Sequence, residues 1–237
     1  MESYSLVASD ASTDFRITFD SPWLLDPEKQ YELALVSLET YNAFPNVNEK
    51  NNLFVFSRDK GQTWTEHRIA TGAYEITDLS LYLKDHLGSD AIELIPNINT
   101  LKCRLKINDD KYRVSFVGDN TLRDLLGLEA KIYDRTEDGI TTVNILTLNS
   151  ILVHSDIIGG SYVNGQTHPT LYSFFPDASP GAKIVETPHN LVYLPVTRHT
   201  IRDIRLWLTS QNIDELLDLR GEIVTIRLHL RTVGLPK

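Results

Sequence analysis

One cysteine and one methionine are all the sulfur in this 237-residue chain. A single thiol closes no disulfide within the chain and supplies no Cys-x-x-Cys pair, so stability has to come from a packed core rather than covalent staples. No run of about 18 apolar residues occurs, which leaves no candidate for a membrane-spanning helix. The opening stretch "MESYSLVASDASTDF" has neither a basic nor an apolar signal region, and no Asn-x-Ser/Thr acceptor is present. These absences imply a protein that is not exported by a signal peptide and is kept in a reducing compartment. Positive charge is scarce too: 23 basic against 32 acidic residues leave a net charge of -9. The locally basic stretches are short strand faces such as Lys102, Arg104 and Lys106. With no basic arm at either end, direct binding to a phosphate backbone is disfavoured.

Patterns that carry chemistry are equally sparse. The seven histidines, at 67, 86, 154, 168, 189, 199 and 229, form no His-x-x-x-His pair, so neither a metal nor a cofactor is expected. His154 lies within an apolar strand and reads as a hydrogen-bonded or exposed strand histidine. "IIGGSYVNG" (157–165) follows a strand but lacks the Lys-Ser/Thr of a phosphate loop and the helix after it. It reads as a turn, with Gly160 and Gly165 supplying positive φ and Asn164-Gly165 forming a hairpin dipeptide. Pro180-Gly181 marks another turn. Asp109-Asp110, Glu137-Asp138 and Asp214-Glu215 sit in charged turns, and Ser161 lies outside any Gly-x-Ser-x-Gly elbow. No catalytic set emerges, and the chain is not read as an enzyme.

What the chain does contain is strands. "DFRITF" (14–19), "YELALVSLETY" (31–41), "NLFVFS" (52–57), "IELIPN" (92–97), "TLKCRLKI" (100–107) and "KYRVSFV" (111–117) come first. After "KIYDRTEDG" follow "ITTVNILTL" (140–148), "ILVHSDI" (151–157), "TLYSFF" (170–175), "AKIVET" (182–187), "NLVYLPV" (190–196), "IRDIRLWLT" (201–209) and a terminal strand. Short runs rich in Val, Ile, Thr, Tyr and Phe between Gly, Asn and Asp turns point to an all-β sandwich or barrel. Cys103, inside one such run, reads as a buried thiol.

Two helical inserts break the pattern, at about 77–87 and 121–126. The first is capped by Thr77, carries a stripe of Leu79, Tyr82, Leu83 and Leu87, and ends at Gly88; the second, capped by Asn120 or Thr121, ends at Gly127. The length allows one large β domain or two small ones. With no evident linker the chain reads as a single domain over 1–237, with a weak boundary at 129–139 where charge rises.

Large residues on polar strand faces are the candidate contact points. Ile204, Leu206 and Leu208 form an inward row, which sends Trp207 outward beside Arg205 and Thr209. In the terminal strand Val224, Ile226, Leu228 and Leu230 face one way, while Arg227, His229 and Arg231 face the other. The oily row is expected to pair near "IRDIRLWLT", and the basic row to meet an acidic neighbouring subunit.

The second half resembles virion proteins of Polinton/Maverick elements and adintoviruses. The resemblance rests on Gly160-Ser161-Tyr162-x-Asn164-Gly165, Pro180-Gly181-x-Lys183-Ile184-Val185-Glu186, Tyr193-Leu194-Pro195-Val196 and the closing Arg220-Gly221-Glu222 to Leu230-Arg231. "TGAYEITDLSLYLKDHL", "NINTLKCRLKI" and "NTLRDLLGL" extend it over most of residues 30 to 231. It implies a jelly-roll β-sandwich of two antiparallel sheets and a structural role in an icosahedral shell. Major capsid proteins of such elements carry two jelly rolls and run longer than 237 residues, so length favours a penton or other minor capsid protein. The implied partners are copies of itself, in a pentameric ring, and a major capsid protein; the implied location is the virion. "QNIDELLD" departs from the pattern and implies a longer hairpin there. A competing reading is a lectin-like sandwich or a spike- or fibre-type attachment module using loops 58–66 and 157–168, with Trp64 and Tyr162. A metal oxygenase on the same fold would need two histidines and a carboxylate converging inside it.

Overall fold

Strands whose side chains alternate between core and water dominate the chain, and they sort into sheets with two separate cores. The computed structural model describes residues 3–145 and 148–233. The chain divides into two compact units, Met1–Phe44 with Leu148–Lys237, and Pro45–Thr147.

The first unit is a sandwich of two antiparallel layers, one of five strands and one of four. One layer has the order Ser3–Asp10, Val224–Thr232, Tyr31–Tyr41, Lys183–Glu186, with Leu194–Pro195 also pairing to Tyr31–Tyr41. The other runs Thr170–Phe174, Ile151–Ser155, Thr200–Thr209, Asp14–Leu24. Followed along the chain, the path crosses between layers after almost every strand, which is the wiring of an eight-stranded jelly roll. Leu33, Leu35, Leu38, Ile226 and Leu228 from one layer meet Ile151, Val153, Ile204, Leu206 and Leu208 from the other, all at 2% exposure or less.

A bulge makes that core possible. Leu33 and Leu35 alternate normally, but Leu38 would fall on the wrong face of a regular strand. The register against the terminal strand shifts so that Arg227 opposes Ser37 and Leu228 opposes Leu35. The extra residue reverses the phase and brings Leu38 inward opposite Ile226.

The inward rows of Val224 to Leu230 and Ile204 to Leu208 are buried as expected. Their pairing is not. The terminal strand lies between Ser3–Asp10 and Tyr31–Tyr41, in the opposite layer from Thr200–Thr209. "QNIDELLD" lies in the layer crossing at 210–223 and closes the longer hairpin expected there: Thr209 bridges Leu216 antiparallel, and the Leu217 N–H donates to the Leu208 carbonyl at 3.1 Å. Ser3–Asp10 is an additional strand, while 140–145 holds no strand and 146–147 lie outside the described residues. The β-branched residues at 140–145 bond instead as loop: Ile140 N–H donates to the Gly127 carbonyl and Val143 N–H to that of Leu101.

The second unit is inserted in sequence between Tyr31–Tyr41 and Ile151–Ser155. It holds a sheet ordered Thr65–Arg68, Leu53–Ser57, Arg113–Ser115, Ile132–Tyr133, and another ordered Glu137–Asp138, Lys102–Ile107, Ile92–Asn97. A helix, Ile76–Leu87, packs on Ile92–Asn97 and buries Ile76, Leu79, Leu83 and Leu87. Its cap is Glu75, not Thr77: the Glu75 N–H donates to the Asp78 carboxylate at 3.1 Å. The second helix is shorter than expected, Arg123–Leu126, and ends on Gly127 at φ 68°, where a Cβ would lie 2.5 Å from the Thr141 carbonyl oxygen. The charged stretch 129–139 lies inside this unit, and the divisions fall at 44/45 and 147/148. Its charge is engaged in local pairs, Lys131 with Glu129 and Glu137 and Arg104 with Asp138, so it marks folded surface. Cys103 is fully buried, and burial pushes its thiol up to about 12.

Two outcomes are expected. Leu228→Ala, truncating a side chain at 0% exposure, lowers unfolding free energy by about 2–5 kcal/mol in a denaturant titration. Cys103 stays unlabelled by a thiol reagent at pH 8 until denaturant is added, because the reactive thiolate is suppressed.

Candidate functional site

Strand alternation places the expected contact residues on the two outer faces of the jelly roll, one set on each. On the layer containing Thr200–Thr209, His154 anchors the arrangement. It is completely buried, with Nε2 2.8 Å from the Thr209 hydroxyl and Nδ1 3.1 Å from that of Thr170. Burial, reinforced by the nearby His168 ring, pushes its pKa down to about 3, so this imidazole is neutral. Trp207 stacks on it at 5.1 Å between ring centroids, and the Arg205 guanidinium lies 4.8 Å from the indole centroid. Arg205 in turn donates two hydrogen bonds to Asp14, at 2.7 and 2.6 Å, which hold that carboxyl below its ordinary range. Trp207 is thus half-buried among residues of its own chain. Thr209, read as outward, is buried because its hydroxyl serves His154.

The other face carries the basic row, and its three members differ. Arg231 donates to Glu32 at 2.9 and 3.2 Å and lies 3.4 Å from the centroid of the Tyr193 ring. His229 bonds through its two nitrogens to the hydroxyls of Ser3 and Tyr193, the latter at 2.7 Å. Both are engaged within the chain. Arg227 is exposed, flanked across the strands by Val7 and Ser37, and makes no ion pair among the described residues. It acts on Glu39 only through space, and Glu39 is hydrogen-bonded to Lys183. Tyr193 was not foreseen as part of this cluster, because it comes from a distant segment with no pattern linking it to the terminal strand.

The turn residues border a further feature. Tyr162–Val163 pairs with Gln166–Thr167 through Asn164 and Gly165, at φ 51° and 81°, and Gly160 and Gly181 also take positive φ, 78° and 76°. Pro180 precedes Gly181 in its turn. Beside the 162–167 hairpin a groove of about 660 Å³ runs along the open edge strand Thr170–Phe174. Trp64 lies in the other unit, 38% exposed. Of the paired carboxylates, Asp110 meets Lys60, Glu137 meets Lys131 and Asp138 meets Arg104. Among the described residues no three His, Cys, Asp or Glu side chains are grouped to hold a metal ion, and no helix is long and apolar enough to cross a membrane.

These observations define a single jelly-roll protein with a folded insertion between its third and fourth strands. No protein-family model and no curated sequence matches the chain. Among solved structures, the crystal structure of selenomethionine-labelled mavirus penton protein is similar, with a TM-score of 0.53 and 11% sequence identity. The alignment covers 98% of this chain and 100% of that one, so the likeness in fold extends through the insertion.

His154 makes the jelly roll acid-sensitive. Its folded pKa lies below the ordinary histidine value of about 6.5, so its contribution is full above that pH and is lost as pH falls toward about 3. Across that window the wild type loses up to about 1.4 kcal/mol more stability per pH unit than His154→Gln. Denaturant titrations of both proteins between pH 7 and pH 4 check this, and parallel curves would refute it.

Proposed function

We propose that this chain is a structural virion protein of the penton or minor-capsid class, assembling as a ring-shaped homo-oligomer, most simply a pentamer, at capsid vertices beside a major capsid protein. The observation that carries the reading is the end-to-end likeness to the mavirus penton protein, covering 98% of this chain with the insertion included. The motif resemblance to virion proteins of Polinton/Maverick elements supports it independently. The proposed role is structural, without catalysis or cofactor, and without direct nucleic-acid binding, in keeping with a net charge of -9.

The two outer faces also suit such assembly. A ring requires each subunit to offer two different surfaces that close after a fixed rotation. One outer face presents Arg227 between Val7 and Ser37; the other presents Trp207 and the Arg205–Asp14 pair. Of the basic row, Arg227 is best placed to meet a carboxylate of a neighbouring subunit, since Arg231 and His229 already have partners.

Light scattering of the purified protein at high concentration, with negative-stain imaging, tests the reading. Rings are expected, with contacts burying upwards of ~1,000 Å² each. Arg227→Glu should weaken association by about tenfold or more while leaving the melting temperature unchanged. Arg231→Glu is the less clean probe, because it also breaks the Glu32 pair. A strictly monomeric wild type would overturn the assignment.

A further inference from the structure

The groove beside the 162–167 hairpin is unlike either outer face, and we propose that it is a binding site for a neutral oligosaccharide. It lies wholly within the jelly-roll unit, and at about 660 Å³ its size suits a small ligand. None of the residues lining it carries a charge. In a chain where 23% of residues are charged, that gap disfavours phosphate, sialic acid and cationic ligands alike. The polar part of the lining consists of hydroxyls and carboxamides, including Ser161, Ser173 and Asn164. No hydrogen bond among the described residues occupies the Ser161 and Ser173 hydroxyls or the Asn164 carboxamide. These groups both donate and accept, which is what the hydroxyls of a neutral sugar require.

The apolar part supplies a stacking surface. Tyr162 stands 69% exposed on the hairpin, an amphipathic ring that is costly to leave wet and suited to the C–H face of a pyranose. Tyr172, on the edge strand, is fixed by donating its hydroxyl to Glu186 at 3.0 Å. The wall is held rigidly: Gly160 turns at φ 78° where a side chain would crowd Pro195, and the two-residue Asn164-Gly165 turn sets the angle of Tyr162. An extended peptide added to the edge strand Thr170–Phe174 is the rival occupant. It would use backbone groups of that strand and leave the hydroxyls and Tyr162 idle.

Saturation-transfer NMR on the intact chain tests the assignment, with lactose, maltotriose and chitotriose as neutral probes, 3′-sialyllactose as the acidic one and an alternating Val-Thr pentapeptide as the strand mimic. Transfer to at least one neutral sugar, with affinity lowered about tenfold or more by Tyr162→Ala, is expected. Ser173→Arg, which places charge and bulk in the groove, should abolish it. Both positions are exposed, and circular dichroism melting establishes that each variant is folded. The assignment is overturned by transfer to none of the neutral sugars, by preference for 3′-sialyllactose over lactose, by neutral-sugar transfer that survives in both folded variants, or by transfer confined to the pentapeptide. The oligomeric state does not enter, so this test and that of the capsid reading fail separately.

Discussion

The jelly roll depends on one strand, Val224–Thr232, being hydrogen-bonded on both edges. It lies between Ser3–Asp10 and Tyr31–Tyr41, and its inward row meets Leu6 on one side and Leu35 on the other at Leu228. A central strand leaves no backbone donor or acceptor exposed along its length, so both neighbours must keep register or lose ladder bonds. The bulge at Val36–Ser37 follows from that demand: with the terminal strand alternating strictly, Tyr31–Tyr41 has to change phase to keep Leu38 in the core. The two layers are then joined across the interior by apolar packing.

Because that interior uses one row of each strand, the other rows are left for the outer faces, and the two faces solve their exposure differently. One buries a neutral histidine beneath an indole, with an arginine–aspartate pair beside it; such a stack is stable only while the histidine stays uncharged. The other pairs most of its charge across strands, as Arg231 does with Glu32, and keeps Arg227 exposed.

The groove belongs to neither face. It exists because the layer ending at Thr170–Phe174 has an unpaired edge there, with the 162–167 hairpin beside it. Open edges are ordinarily guarded by charge. This one is bordered by hydroxyls, carboxamides and tyrosines instead.

The all-β character, the inward rows of Ile204 to Leu208 and Val224 to Leu230, the burial of Cys103 and the glycine-terminated helices were legible in the sequence, since each follows from local period or from a single residue's conformational freedom. The first strand, Ser3–Asp10, was hidden because four of its eight residues are serine or aspartate, and only its neighbour makes it a strand. The run at 140–145 shows the converse: a β-branched stretch whose N–H groups bond to the Gly127, Leu101 and Leu125 carbonyls as loop, not as a ladder. Which strands are neighbours, which arginine is already paired, and that Tyr193 joins His229 and Arg231 were decided by tertiary structure alone. A strand's alternation specifies which side of it is apolar, but not which partner lies beside it. In a jelly roll the chain crosses between layers, so nearness in sequence misleads about nearness in the sheet.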